Sequence, residues 1–260
     1  MYRNLADKVV LVTGGSRGIG LAIAERFLIE KSKVCSISRH KPETLNEGIT
    51  YFECDVSSER SVKETAKKIR EYLGSVDILI NNAGIENYAP VASTTVRMWD
   101  SIMDITVTGA FLVSREVIPD MVKNGKGVII NVASVQSFAA SKNAAAYVTS
   151  KHAMIGLTKS IAVDYAPQIR SVAVCPATIR TPLADWAASL EVGNDSHKIE
   201  EKYKEWGSAH VLGRTGFPDE VANAVVFLSS DEASFITGSS FLVDGGMLSR
   251  IPISTPEAQL

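Results

Sequence analysis

Six short, largely apolar and often β-branched runs recur along the chain, at 8–13, 33–37, 76–80, 127–132, 170–175 and 239–243, with helix-period segments between most of them. Near-continuous apolarity within a run means that both faces of the strand must be covered. The arrangement that does this is a parallel sheet flanked by helices. The first strand, followed by an amphipathic helix at 18–30, makes a βα unit. The expected fold class is therefore α/β, a doubly wound parallel sheet with helices on both faces. No repeat, low-complexity tract or linker divides the 260 residues, so 1–260 is expected to form a single domain.

Two segments stand apart from this pattern. Residues 184–210 are polar and poor in strand signals but carry Trp186, Tyr203 and Trp206, which reads either as an insertion over a site or as a helix pair packed on the body. The tail, 247–260, ends in a stretch with Pro252, Pro256 and little apolar content, which needs no fixed structure.

Composition narrows the partners. A net charge of −2 gives no basic field for nucleic acid, and no basic amphipathic stretch suits a membrane surface. A small molecule is the expected partner. No apolar run is long enough to span a bilayer and the opening residues lack the apolar core of a secretory signal, so a cytoplasmic location is expected. Cys35, Cys54 and Cys175 have neither metal-site nor disulfide-framework spacing and read as buried thiols in a reducing compartment, with no metal site expected.

The segment Thr13-Gly14-Gly15-Ser16-Arg17-Gly18-Ile19-Gly20 falls between the first strand and the first helix, where a doubly wound sheet brings backbone amides to a pyrophosphate. Gly14 supplies the tight turn, Gly18 a close backbone approach and Gly20 tight helix packing. The spacing G-x-x-x-G-x-G differs from the longer G-x-G-x-x-G fingerprint, and no Lys-Ser/Thr pair follows that would make a P-loop. After the second strand the chain reads Ser38-Arg39-His40 where an NAD enzyme places an acid against the ribose hydroxyls. Arg39 with Arg17 would flank a 2′-phosphate, which points to NADP as the preferred cofactor with NAD as a second possibility. The competing reading is two solvated surface arginines.

Tyr147 and Lys151 lie four apart in Tyr-Val-Thr-Ser-Lys, so a helix presents both on one face. A neighbouring ammonium and a positive nicotinamide favour the phenolate of a tyrosine whose reference pKa is about 10. Such a tyrosine can take the proton of an alcohol.

With these pieces assembled, the chain resembles the short-chain dehydrogenase/reductase family over nearly its whole length. The likeness is carried by TGGSRGIG at 13–20, NNAG at 81–84, Ser134 and the Tyr147/Lys151 pair. It implies a Rossmann-like fold and direct hydride transfer between a substrate carbon and nicotinamide C4. It implies that Ser134 hydrogen-bonds the reacting oxygen, that Tyr147 exchanges its proton, and that Lys151 binds the nicotinamide ribose and lowers the tyrosine pKa. Asp55 is expected at the adenine, with Val56 beside it; Asn81, Ala83 and Gly84 border the cofactor, and Pro176, Ile179 and Thr181 lie around the nicotinamide carboxamide. A homotetramer is the expected assembly, in which the tail could reach a neighbouring site.

Two departures from the family pattern matter. Thr106, in Ile-Thr-Val-Thr-Gly, stands where the family carries an asparagine that orders a water leading protons from the lysine. A threonine hydroxyl can also bind a water. Ala177 follows Pro176 in place of glycine and adds a methyl near the nicotinamide.

Within the family the likeness is to the sugar 1-dehydrogenases of glucose and aldohexose type, through 83–87 (Ala-Gly-Ile-Glu-Asn), 134–136 (Ser-Val-Gln) and 244–247 (Asp-Gly-Gly-Met). A sugar site needs several fixed polar groups, and Glu86, Gln136, Asn143 and Arg180 all lie in segments the fold directs toward substrate. The expected function is oxidation of the anomeric hydroxyl of an aldose to a lactone with NADP. The alternatives are a ketone or 3-oxoacyl reductase of the same family and, from another class, a dinucleotide-binding sensor with vestigial catalytic residues.

Overall fold

Every residue of β1 (Val9–Thr13) is buried, yet neighbours face opposite ways: Val10 and Val12 join one apolar cluster, Val9 and Leu11 another. The two clusters are the two faces of a sheet. In this computed structural model, which describes residues 2–42 and 46–250, β1 lies with β2 (Lys33–Ser38), β3 (Ile49–Glu53), β4 (Ile78–Asn81), β5 (Gly127–Val132), β6 (Ile169–Pro176) and β7 (Ser240–Val243) in one sheet of order 3-2-1-4-5-6-7. All six pairings are parallel. The chain winds outward from β1 in one direction and restarts on its other side at β4. That reversal opens a crevice beyond the carboxyl ends of β1 and β4, the place where such sheets bind ligands.

Helices α1 (Gly18–Ile29) and α8 (Pro218–Ser229) pack Ile23, Phe27, Val221 and Val225 onto one face. The other face is covered by α2 (Glu59–Leu73), α4 (Gly109–Lys123) and α5 (Ala145–Tyr165), through Ile69, Val117, Met121 and Ile161. The doubly wound α/β arrangement expected from the sequence is the one observed. A short α3 (Val96–Met103) runs into α4 through a π-helical turn, Asp104–Thr108, so that Val96 to Lys123 is one helix with a single wide turn. Such turns recur at functional sites.

Three expectations need correction. Strand β3 was absent from the six expected runs; it is a sheet edge whose five residues are at most half-buried, so its sequence Ile-Thr-Tyr-Phe-Glu carries no continuous apolar signal. Several strand ends also move by one or two residues, because ladder pairing and not apolarity sets them. The segment 184–210 is a helix pair, α6 (Pro182–Val192) and α7 (Ser196–Gly207), that begins two residues earlier than the composition shift suggested. Of the tail, 251–260 lies outside the described residues.

A chain of buried amides fixes α5 to the sheet. Asn81 Nδ2 donates to Asn131 Oδ1 at 2.8 Å and to Ser114 Oγ at 3.0 Å, Asn131 Nδ2 donates to Thr158 Oγ1 at 2.9 Å, and Thr158 donates to the Met154 carbonyl at 2.7 Å. The network joins β4, β5, α4 and α5 in a dry interior, where a lost partner leaves an unsolvated polar group. Asn131→Ala should lower the free energy of unfolding by about 2–3 kcal/mol with an unchanged urea m-value. A loss under about 0.5 kcal/mol would show that the network does not hold α5 in place.

Candidate active site

Helix α1 begins without a side-chain cap. Its N-cap is Arg17 in extended conformation, no acid lies in its first turn, and its leading amides face the crevice end of β1. By contrast α2, α3, α6 and α7 are each capped by Ser58, Thr95, Thr181 or Asp195. The turn leading into α1 holds Gly14 at φ 67° and Gly18 at φ 56°. A Cβ on Gly15 would meet Ser36 Oγ at 2.6 Å, and one on Gly20 would strike the Gly14 carbonyl. Ser16 and Ile19 complete the turn. Bare amides, a positive dipole end and a glycine cradle fit the pyrophosphate of a dinucleotide.

The floor of the crevice is stitched across β1 and β4. Thr13 Oγ1 accepts from the amides of Asn82 and Ala83 at 3.0 and 2.9 Å, while Asn82 Nδ2 donates to the carbonyls of Thr13 and Gly14 at 3.0 and 3.2 Å. Asn81 faces the core and serves the amide network, with its Oδ1 unpartnered. Thr13 and Asn82 were not singled out in the sequence, although both lie inside its motifs.

Around this floor the remaining cofactor candidates fall on one rim. Ser38 Oγ donates to the His40 carbonyl at 2.8 Å, and Arg39 and Arg17 are exposed, with no ion pair among the described residues. Asp55 Oδ1 accepts from Ser57, and Val56 packs where a Cβ on Gly109 would lie at 2.9 Å. Pro176 ends β6, Ile179 is buried and bridges to Gly216, and Thr181 caps α6 at 3.5 Å from the Cβ position of Gly18.

The four catalytic candidates meet at the ends of β4 and β5. Ser134 leaves β5 in extended backbone and caps the turn Val135–Ser137, its Oγ accepting from the Gln136 amide at 3.1 Å, which leaves its own proton to donate. Ser137 Oγ donates to the Lys151 carbonyl at 2.7 Å and so clamps that turn to α5. Lys151 is 5% exposed; its ammonium donates to the Val132 carbonyl at 2.9 Å and lies 5.5 Å from the centre of the Tyr147 ring. An ideal Cβ on Gly84 would be 3.6 Å from Thr106 Oγ1 and 3.8 Å from Lys151 Nζ, so both groups border that glycine. Thr106 Oγ1 is buried without a partner.

Burial dominates the electrostatics of the group. It lowers the Lys151 ammonium to about 8, against the opposing pull of Glu86. Tyr147 is driven well above its usual 10 by burial and then by the Glu86 charge, while hydrogen bonding to Ser134 works the other way. Glu86 is itself raised by burial, offset in part by hydrogen bonding to Tyr88 and by the Lys151 charge.

Of the four polar residues expected at a sugar, two reach this cluster. Glu86 is coupled to Tyr147 and Lys151, and Gln136 Oε1 is buried without a hydrogen-bond partner beside Ser134. Asn143 sits at φ 62°, a backbone conformation asparagine tolerates, and its carbonyl accepts from the Ala89 amide at 2.6 Å, tying the Glu86 loop to the start of α5. Arg180 is committed to Glu200 through two hydrogen bonds of 2.5 and 2.8 Å and stacks over Tyr203. Tyr88, which faces both Glu86 and Trp186, gave no sequence signal beyond following the NNAG segment.

Comparison with known proteins places this architecture. A family described as enoyl-(acyl carrier protein) reductase matches residues 14–248. The chain is 38% identical over 254 residues to a 2-(R)-hydroxypropyl-CoM dehydrogenase of Xanthobacter autotrophicus, covering 92% of this chain and 98% of that one. A 3-oxoacyl-[acyl-carrier-protein] reductase of Aquifex aeolicus is 37% identical, covering 95% and 100%. Among solved structures, the ligand-free aldohexose dehydrogenase of Thermoplasma acidophilum superimposes with a TM-score of 0.96 at 52% identity, covering 99% and 100%. A gluconate 5-dehydrogenase of Burkholderia cenocepacia, in complex with NADP and tartrate, gives 0.85 at 30%, covering 95% and 97%. The chain belongs to the short-chain dehydrogenase/reductase family of oxidoreductases.

Proposed function

We propose that this enzyme is an NADP-preferring aldose 1-dehydrogenase that oxidises the anomeric hydroxyl of an aldohexose or deoxy-aldohexose to the lactone. The observation that carries the sugar reading is that the catalytic group has two acceptors besides its own members: the Glu86 carboxyl, whose charge acts on Tyr147 and Lys151, and the buried, unpartnered Gln136 Oε1 next to Ser134. Two fixed acceptors suit a substrate that presents several hydroxyl donors. The likeness to an aldohexose dehydrogenase supports it. A 3-oxoacyl substrate, suggested by the Aquifex relative, offers few donors for a carboxylate. A homotetramer fits the exposed Phe241 and Leu242 on edge strand β7, and three free, buried thiols suit a reducing cytoplasm.

Bound NADP supplies the hydride acceptor and a positive ring. The leading amides of α1, with the Gly14–Gly20 turn, would hold its pyrophosphate, and Arg39 and Arg17 would bind the 2′-phosphate. Ser134 donates its free proton to the substrate oxygen and aligns it with Tyr147. The Tyr147 phenolate accepts the hydroxyl proton as the C1–H pair leaves as hydride, forming the carbonyl of the lactone. Lys151 holds positive charge against the phenolate and is itself oriented by the Val132 carbonyl. The Thr106 hydroxyl, beside Gly84, orders a water that returns protons to solvent.

A panel of aldoses and ketones, scored by NADP reduction or NADPH oxidation, tests the reading directly. Glu86→Ala should lower kcat/KM for the best aldose by about one to two orders of magnitude, from a charged hydrogen bond worth roughly 1.5–3 kcal/mol, with NADP affinity unchanged. Wild-type behaviour of that variant on every sugar sinks the aldose assignment. Arg39→Ala should weaken NADP far more than NAD, read as two pairs of dissociation constants; an equal loss for both cofactors removes Arg39 from the 2′-phosphate.

Lys151 gives a test with a sign. An unfolded chain titrates this lysine near 10.5, the folded one near 8, so between those values the unfolded state binds the extra proton and wild-type stability rises with pH. The gain is on the order of 3 kcal/mol across the window. Lys151→Met should cut kcat by about two orders of magnitude or more, and the stability difference, wild type minus variant, should grow from pH 7.5 to pH 10 in urea unfolding. A difference that stays flat would mean that the lysine is not held in a desolvated site.

A further inference from the structure

The catalytic group draws on two elements whose connection does not align them. Ser134 leaves the end of β5 and Tyr147 and Lys151 stand on the first turns of α5, while residues 138–143 between them are exposed. Helix α5 has Ala144 as its N-cap, with no side-chain hydrogen bond there and no acid in its first turn. The buried bond from Asn131 to Thr158 holds α5 to the sheet, but it lies about 10 Å further along the helix than Lys151. Alignment at the reacting end needs a nearer contact.

Lys151 grips Ser134 from both sides. Its ammonium donates to the carbonyl of Val132, two residues before the serine, at 2.9 Å, and its own main-chain carbonyl accepts from Ser137 Oγ, three residues after it, at 2.7 Å. The Ser137 amide in turn donates to the Ser134 carbonyl at 2.9 Å, and the Gln136 amide to Ser134 Oγ at 3.1 Å, so that β5, the turn and α5 form a closed ring around the reacting serine. Among the described residues, no other hydrogen bond joins 132–138 to the first two turns of α5. The two bonds differ in kind. The ammonium sits on a flexible four-carbon stem, whereas the serine bond is short, buried and made to the helix main chain itself. The second is the one that can fix α5 relative to the turn.

We propose that Ser137 is a positioning residue: by bonding the turn to the main chain of α5, it sets where the Ser134 hydroxyl stands relative to Tyr147. The proposal rests on the reading of Ser134 as the donor to the reacting oxygen and holds for whichever alcohol the enzyme oxidises. Without the Ser137 hydroxyl, the Lys151 carbonyl keeps the bond it accepts within α5, and the fold has little to lose. The turn is then free to drift, and a displacement of about 1 Å in a group that must meet the transition state costs on the order of a hundredfold in rate.

The test is a double-mutant cycle in the full-length enzyme with saturating NADP and the best substrate of the panel. Ser137→Ala should lower kcat about tenfold, with the Kd for NADP within about twofold of wild type, because the cofactor cradle is untouched. In a Ser134→Ala background the same substitution should change kcat by less than about twofold, since Ser137 acts through that hydroxyl. Ser137→Thr, which keeps a donor, should recover about half or more of the loss on a logarithmic scale. A Ser137→Ala enzyme with wild-type kcat, an equal loss with and without Ser134, or no recovery with threonine overturns the proposal. Ser134→Ala measured alone separates this from failure of the underlying reading. Wild-type kcat in that variant removes Ser134 from the chemistry and the proposal with it, whereas a large loss there and none in Ser137→Ala removes Ser137 alone.

Discussion

A parallel sheet runs out of hydrogen-bond partners at the carboxyl ends of its strands, and the whole site is built from the groups that make up the shortfall. At the end of β1 and β4, Thr13 and Asn82 take up the strays by exchanging four hydrogen bonds between side chain and backbone. At the end of β5 the Val132 carbonyl is met by the Lys151 ammonium. A lysine placed for that purpose must be buried, and burial is what brings its proton into the neutral range. Satisfying the sheet edge and preparing a proton-transfer site are thus the same act.

That arrangement puts three ionisable groups, Glu86, Tyr147 and Lys151, in one poorly solvated pocket, where each shifts the others. Burial disfavours the charged form of each, raising the two acids and making the third, the base, a weaker one. A phenolate is unstable there without positive charge beside it, and Glu86 makes it more so. The carboxylate is therefore an electrostatic burden on the base. A site retains such a group when something else in the pocket needs it, and sugar hydroxyls, which donate to a carboxylate and disperse its charge, are a use that also relieves Tyr147.

The sheet was legible wherever burial was two-sided. Strand β5, with all six residues buried, was readable to its last residue, because a continuous apolar run has one meaning between turn signals. Strand β3 was not, since an edge with one covered face mixes Thr, Tyr and Glu among its apolar residues. At the site, residues with a backbone reason to be where they are (Gly14, Gly18) and the Tyr147/Lys151 helical spacing could be read from the chain, because local geometry dictates them. Polar contacts that depend on tertiary approach could not. Arg180 looked free until α7 brought Glu200 to it. Tyr88 gave no sign because its meaning lies in Trp186, ninety-eight positions along the sequence.

Thr106 shows how a local departure is absorbed without loss of the surrounding geometry. It occupies the π turn between α3 and α4, where the helix widens by one residue and its ladder is interrupted, so a side-chain oxygen at that point can turn inward without competing for the next amide. An asparagine there would extend an amide across the space beside Gly84. Threonine stops short, leaving its Oγ1 buried and unpartnered at 3.6 Å from the Cβ position of Gly84, with the ammonium of Lys151 at 3.8 Å from the same point. The volume that the shorter side chain gives up lies between a hydroxyl and an ammonium, two groups that between them offer a water both donors and an acceptor. A buried polar space of that kind is more stable filled than dry. On the mechanism proposed above, a water held there would span part of the distance that an amide side chain would otherwise cover.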